Sequence, residues 1–352
     1  MMNNINLPET YKELDKQGML TEIQRLPEQL KHAWRISHEF PLPERNNFTS
    51  IIFAGMGGSA IGADILSSYV MPLCKTRITV LRGYQLPLWA NSQDTLVVCC
   101  SHSGNTEETL SAFYDALDKG CTTMAISTGG KLQELSKLHK KLFWKFEHHG
   151  QPRAAVGFSF GLLLGLIERL ELISSQQDEI ESAVAGMTMF LQQIDANVPV
   201  AKNLAKRISG QAVDRFVSVF GSEHLEPVAR RWKTQINEIS KAWAQFEFLP
   251  EADHNTLAGV INPTNTIEKI YSIFLKSDYY HDRNQLRFDL TFEEIMVSGL
   301  CTDNIVLQSD HKLEEIWKMI LLGDYISYYL AMAYKVDPTP VDAIENLKDA
   351  MK

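Results

Sequence analysis

The chain has 352 residues, 45% of them hydrophobic and 22% charged, with a net charge of −9. The length suggests about two domains, because single cores typically split beyond about 250 to 300 residues. The acidic balance argues against broad nucleic-acid or anionic-membrane binding, so any anion site must come from local design. The five cysteines, Cys74, Cys99, Cys100, Cys121 and Cys301, form no CxxC pair and fit a reducing cytoplasm. The N-terminus lacks a basic start followed by an apolar run, and the strongest apolar segment, Ala154 to Ile167, is short for a membrane span. A cytoplasmic protein is the expectation.

Residues 8 to about 40 read as a helical lead-in, with Leu26, Leu30, Ala33 and Ile36 at helical spacing before the Pro41-Leu42-Pro43 punctuation. From residue 50 a strand-then-helix pattern repeats. Strands are expected at Ile51–Ala54, Arg77–Leu81, Leu96–Cys100, Thr122–Ile126 and Lys141–Phe146, and helices near 59–70, 105–119 and 131–138.

Within this region Ile51 to Asp64 stands out: an apolar strand meets Gly55, Gly57, Gly58 and then Ser59, with Gly62 one turn into a helix. Glycines let backbone N–H groups approach an anion, Ser59 adds a hydroxyl, and the helix contributes its positive end. The spacing is neither the dinucleotide GxGxxG nor a Walker loop. Taken alone it is equally compatible with a tight strand-to-helix connection. A second turn follows the next buried strand: Ser101-His102-Ser103-Gly104-Asn105-Thr106-Glu107-Glu108-Thr109. Successive strand ends of an open parallel sheet line one crevice, so both turns can face one ligand. The hydroxyls and helix N–H groups suit a phosphate monoester, although Ser103 or Thr106 could serve only as a cap.

Arg153, in Gln151-Pro152-Arg153, precedes an apolar helix from Ala154 to about Leu172. A cation at the positive end of a helix is electrostatically unhelpful, which makes Arg153 available to a phosphate or a developing oxyanion; the alternative is an ordinary surface arginine. A polar helical segment at about 176–208 then links to a second half. There Ala212–Phe220 reads as a strand, Gly221-Ser222-Glu223 as a turn and Leu225 to about Phe246 as a helix. The order echoes the first half, but this turn has a single glycine and Glu223 would repel an anion. Two related α/β domains are expected, of which the first alone keeps a phosphate pocket. The second half also holds Glu238 on its helix and His254 in a loop after Leu249-Pro250. A carboxylate and an imidazole can move protons beside a carbonyl, while a solvated helix carboxylate and a loop histidine are the plainer readings.

Together the Gly-Met-Gly-Gly-Ser-Ala-Ile-Gly-Ala-Asp turn, the Ser-x-Ser-Gly-Asn-Thr-Glu-Glu-Thr segment, Pro-Arg-Ala, the Asn-Glu helix and the His-Asn loop resemble the bifunctional phosphoglucose/phosphomannose isomerases. The resemblance runs from about residue 50 to the C-terminus. It implies two sugar-isomerase (SIS) domains, each a doubly wound α/β layer with a mainly parallel sheet flanked by helices. The boundaries expected are a lead-in over 1–45, a first SIS domain over 46–175, a linker over 176–210, and a second SIS domain with C-terminal helices over 211–352. It implies phosphate contacts at Gly57, Gly58, Ser59, Ser101, Ser103 and Thr106, and an arginine facing the reacting carbons at Arg153. The proton-transfer base matches Glu238, the ring-opening histidine His254, and an assisting C-terminal lysine Lys348, with Lys335 as the other lysine of that region. In the family the histidine comes from the neighbouring subunit, which implies a homodimer with shared sites. The implied reaction interconverts glucose 6-phosphate or mannose 6-phosphate with fructose 6-phosphate through a cis-enediol, with no metal and no cofactor; the His148-His149 pair is a weak metal candidate. Position 102 departs from the family, being His where an aromatic such as Tyr is usual. Other readings of the same residues are a SIS-type deglycase or deaminase of an amino sugar phosphate, and a sugar-phosphate sensor without turnover.

Overall fold

A computed structural model describes Ile5 and residues 8–351. Its contacts divide the chain into two compact units: Arg25–Val184, and the residues before Arg25 together with those from Ala185 onward. Helices α1 (Pro8–Leu14) and α2 (Met19–Gln24) therefore belong with the C-terminal half, whereas α3 (Leu26–Ser37) belongs with the first sheet.

The first unit continues with β1 (Ser50–Gly55), α4 (Gly57–Val70), β2 (Arg77–Leu81), β3 (Thr95–Ser101), α5 (Glu107–Asp118), β4 (Thr122–Ser127), α6 (Gly130–Leu138), β5 (Leu142–Lys145) and α7 (Val156–Arg169), and ends in the start of α8 (Gln177–Ile194). The five strands are parallel in the order β2-β1-β3-β4-β5. β1 and β3 are buried along their whole length, as continuous apolar runs in a sheet covered on both faces should be. Ile52, Ala54, Val97, Cys99 and Ala125 face a core with Ala112, Phe113 and Leu132 of α5 and α6. The alternate residues of the same strands look the other way, toward the side of α4 and α7.

Three glycines at successive turns of α7 let α3 lie close. A Cβ on Gly157 would come within 2.7 Å of Gln29 Oε1, one on Gly161 within 2.9 Å of Ala33 Cβ, and one on Gly165 within 1.9 Å of Ser37 Oγ. The N-terminal helical segment is thus partly structural core of the first unit.

The second unit holds α9 (Leu204–Ala212), β6 (Phe216–Ser222), α10 (Glu226–Ser240), β7 (Ala244–Leu249), α11 (Thr264–Ile267), β8 (Ile270–Lys276), α12 (Asp282–Val297), β9 (Cys301–Val306), α13 (Lys312–Tyr334) and α14 (Asp342–Ala350). Its parallel sheet runs β7-β6-β8-β9, which repeats the connectivity of β2-β1-β3-β4. The reading of both halves as α/β, each with a parallel sheet flanked by helices, holds. The strand expected from Ala212 starts later, because Ala212 closes α9 and Asp214 turns the chain with φ +59°. The helix expected to reach Phe246 stops at Ser240: Lys241 adopts φ +55° and its N–H bonds Ile236 O, after which Ala244–Leu249 pairs with β6. A left-handed cap ends the helix where hydropathy alone did not.

Helix α13 is buried along most of its length and is tied to α10 by polar contacts inside the core. Arg231 Nη2 lies 2.6 Å from Asp324 Oδ2, Gln235 Nε2 donates to Asp324 Oδ1 at 3.1 Å, and Trp232 Nε1 donates to Met319 O at 2.8 Å. Burial pushes the Asp324 carboxyl pKa up despite Arg231. A second buried cluster joins His224 Nε2 to Glu315 Oε2 at 3.0 Å, with Ser277 Oγ donating to the same oxygen at 2.6 Å. His224 Nδ1 is buried and has no hydrogen-bond partner among the described residues, which favours the neutral ring with its proton on Nε2.

Burial is the largest influence on His224 and lowers its pKa from 6.5, against the opposing pull of Glu315. The unfolded chain therefore binds this proton more readily than the folded one. The stability contribution of neutral His224 is complete above pH about 6.5 and is lost as pH falls toward the folded-state value, at about 1.4 kcal/mol per unit of separation. Thermal melts between pH 7.5 and 5 should show a falling midpoint, and His224→Gln should flatten that dependence; an unchanged slope would remove His224 as its source.

Candidate active site

Two strand-to-helix turns at the C-terminal ends of adjacent strands form the polar end of the first unit. β1 and β3 pair with Gly55 opposite Cys100, so the turn after Gly55 and the turn after Ser101 emerge side by side. Helix α4 begins at Gly57 behind Met56, whose side chain offers no capping bond, and no acidic residue lies in its first turn. Helix α5 begins behind Thr106, which sits at the N-cap position yet makes no side-chain capping bond. The Thr106 hydroxyl instead lies 2.8 Å from Ser101 Oγ, which also accepts the Gly104 N–H at 3.0 Å. Capping alone therefore does not account for Thr106. Both helices present their N–H groups and positive ends at the C-terminal end of the strands, one from each face of the sheet, the arrangement that suits an anion.

The glycines of the first turn have separate reasons. Gly57 has φ +50° with open space around its missing Cβ, so its requirement is conformational. Gly58 is steric: a Cβ there would lie 2.5 Å from Pro152 O and 3.5 Å from Arg153 Cα. Gly62, one turn on, would put a Cβ 2.4 Å from Ser159 Cβ. This face of α4 lies directly against the Pro152–Ala154 turn and the start of α7.

That contact sets Arg153 beside the glycine turn. Arg153 is 5% exposed, so the surface-arginine reading does not apply, and it stands in a short 3-10 turn just ahead of α7. Gln29 of α3 holds this turn from behind: its Nε2 donates to Ala154 O at 3.0 Å and its Oε1 accepts the Gly157 N–H at 2.7 Å. Gln29 was not singled out from the sequence. Its signal is a glutamine on the otherwise apolar Leu26, Leu30, Ala33 face.

The second turn is braced by its own neighbours. His102 O accepts Thr128 Oγ1 at 2.7 Å and Thr128 N at 3.1 Å, and Gly104 O accepts Leu132 N at 2.9 Å. Ser103 Oγ accepts the Asn105 N–H at 3.2 Å and remains exposed. The His102 ring lies 2.9 Å from His148 Nδ1 through its Nε2 and packs edge-on to Phe146. Among the described residues no group of three or more His, Cys, Asp or Glu is placed to hold a metal ion.

The remaining candidates lie in the second unit. Glu238 is half-buried in the last turn of α10, next to the turn that enters β7. His254 is exposed in a 3-10 turn that follows β7. The six-residue strand β7 lies between them in the chain, a rise of about 16–20 Å along the strand. Asp253, beside His254, is fixed by Arg287 Nη1 at 2.8 Å and Thr291 Oγ1 at 2.7 Å. Lys348 is exposed on α14, and Lys335 is exposed at the left-handed cap that ends α13, with φ +58°.

Residues 200–351 match the model of the bacterial phospho-glucose isomerase C-terminal SIS domain. A bifunctional phosphoglucose/phosphomannose isomerase from Caldicellulosiruptor bescii is 37% identical, over 95% of this chain and 98% of that protein. One of the same description from Aquifex aeolicus is 33% identical over 87% and 91%. The chain belongs to the bifunctional phosphoglucose/phosphomannose isomerase family. Its fold is also found in solved structures at much lower identity. A hypothetical protein from Thermus thermophilus superposes with a TM-score of 0.75 at 15% identity, covering 98% of this chain and 93% of that one. Glucosamine-6-phosphate deaminase from Thermotoga maritima gives 0.67 at 16% identity, covering 91% and 96%.

The two glycines predict different outcomes. Gly58→Ala should cost about 1–3 kcal/mol through overpacking against Pro152, and should weaken inorganic phosphate binding by displacing Arg153. Gly57→Ala should cost about 1–2 kcal/mol through its left-handed backbone, with the Arg153 turn undisturbed. Melting curves and phosphate titrations of both variants check this; equal phosphate binding by Gly58→Ala and the parent would remove the steric argument. Gln29→Leu should destabilise the fold by about 1–3 kcal/mol, because Ala154 O and the Gly157 N–H lose a buried partner, as read from denaturant midpoints.

Proposed function

We propose that this chain is an aldose–ketose isomerase that interconverts glucose 6-phosphate and mannose 6-phosphate with fructose 6-phosphate, acting as a cytoplasmic homodimer. The observation that carries the reading is the buried Arg153 set against a glycine turn whose helix start is uncapped, because a binding cradle alone needs no buried guanidinium at its edge. The relatives named above support the choice of hexose 6-phosphate.

In this scheme Gly57, Gly58, Ser59, Ser101, Ser103 and Thr106 hold the phosphate through N–H and hydroxyl donors. Arg153 stabilises the enediolate oxygen charge as it develops. Glu238 takes the proton from one carbon and returns it to the neighbouring one, while His254 and Lys348 exchange the ring and hydroxyl protons. Every step is a proton transfer or a charge stabilisation that these side chains can supply, and the proposal includes no metal. The separation of Glu238 from His254 across β7 supports a site completed by the His254 of a second copy.

The first test is proton NMR of EDTA-treated protein with fructose 6-phosphate in deuterated water. Both glucose and mannose 6-phosphates should form, with deuterium at carbon 2. Binding without turnover would overturn the isomerase reading in favour of a sensor, and release of ammonia from an amino sugar phosphate would favour a deaminase.

Glu238→Gln should lower kcat by roughly 10²–10⁴ with little change in KM, since the base acts only after the sugar is bound. His254→Ala should also be inactive, and mixing the two inactive proteins should restore activity, because one of the two sites in a mixed dimer keeps both native groups. A mixture that forms mixed dimers but stays inactive would exclude sharing of the site.

A further inference from the structure

The second unit repeats the first unit's sheet connectivity, and the residues at its corresponding turn can be compared one by one. Gly55-Met56-Gly57-Gly58-Ser59 leads from β1 into α4; Gly221-Ser222-Glu223-His224-Leu225 leads from β6 into α10. The backbone repeats as well. Met56 and Ser222 are both extended, with φ −127° and ψ 160° against φ −147° and ψ 158°, and Glu223 has φ +46°, close to the +50° of Gly57. The turn has the shape of an anion cradle, held by a glutamate in a conformation that favours glycine.

The chain itself fills that cradle. Glu223 Oε1 accepts the His281 N–H at 2.8 Å and Asn284 Nδ2 at 2.7 Å, which sets its carboxylate on the N-terminus of α12. Helix α12 follows β8 as α5 follows β3, so this is the helix end that corresponds to Ser103–Thr106. The Ser222 N–H, which an open cradle would turn toward a ligand, bonds the buried Tyr280 hydroxyl at 3.2 Å. His224, the counterpart of Gly58, is buried against Glu315 Oε2, which also accepts Ser277 Oγ. Where the first unit sets a cation, Arg153, beside position 58, the second sets an anion, Glu315, beside position 224.

We infer that the second unit carries a phosphate-type anion site permanently occupied by the carboxylates of Glu223 and Glu315. The two carboxylates supply the negative charge that a bound oxyanion supplies in the first unit, and the helix N-terminus and hydroxyl of the site are satisfied without one. Each chain consequently offers a single oxyanion site, and the second unit is a fixed scaffold that carries Glu238 and His254. Glu223 and Glu315 take no part in the proposed chemistry.

Inorganic phosphate is the probe. Calorimetric titration of the parent should give one phosphate per chain, and E223G/E315A, which restores glycine at the left-handed position and removes both internal anions, should gain one more. The gain is the readout: a parent that binds none would count against the first-unit site, while the increase in the variant would still support this one. Adding Asn284→Leu should abolish the gained binding and leave the first. Retained isomerase turnover verifies that the variants are folded. No gain in folded E223G/E315A would overturn the inference, as would two phosphates bound to the parent, since the second cradle would then be open. If the double variant does not fold, E223G alone decides by melting: its midpoint should rise with added phosphate more steeply than the parent's, and parallel curves would overturn the proposal.

Discussion

The approach of α4 to the Pro152–Ser159 backbone is the contact that brings the glycine turn and Arg153 side by side in the first unit. It exists because positions 58 and 62 carry no side chain, and a single methyl at either would meet backbone or Ser159 at 2.5 Å or less. The same closeness sets Arg153 beside the start of α4 and removes it from solvent. Gln29 then fixes the Arg153 turn from α3, which is itself admitted by the glycines at 157, 161 and 165. Close packing of three helices fixes the backbone that carries Arg153.

The uncapped helix starts are the electrostatic side of the same design. A capping side chain at Met56 or Thr106 would satisfy the orphan N–H groups that an anion needs. The second unit illustrates the alternative on a sheet of the same connectivity. There the helix start is satisfied by Glu223, the strand-end N–H by Tyr280, and His224 and Ser277 by Glu315. One sheet connectivity thus carries an uncapped glycine turn in the first unit and an internally bonded turn in the second, according to which residues stand at a few positions.

Much of the fold was legible because buried parallel strands are continuous apolar runs. β2 is found where the sequence set it, and β1, β3 and β4 extend the expected segments by a residue or two. The errors fell where a left-handed residue ends an element, as at Asp214 and Lys241, since lysine and aspartate carry no reliable signal for that conformation. The glycine turn, the hydroxyl segment and Arg153 were each visible as local chemistry. Gln29 was not, because its partners at Ala154 and Gly157 are more than a hundred residues away.

By itself the sequence determined the family, the two α/β layers and the residue types able to hold a phosphate and move protons, because these are written in short ordered motifs and in strand and helix periodicity. The tertiary structure alone decided which residues share a place. Seen only in the folded chain are α1 and α2 joining the C-terminal half while α3 joins the first sheet, the burial of Arg153, the β7 strand between Glu238 and His254, and the internal carboxylates of the second turn. The physical reason is common to all of them. Each depends on contacts between segments distant in the chain, and local propensity carries no information about what packing will bring alongside.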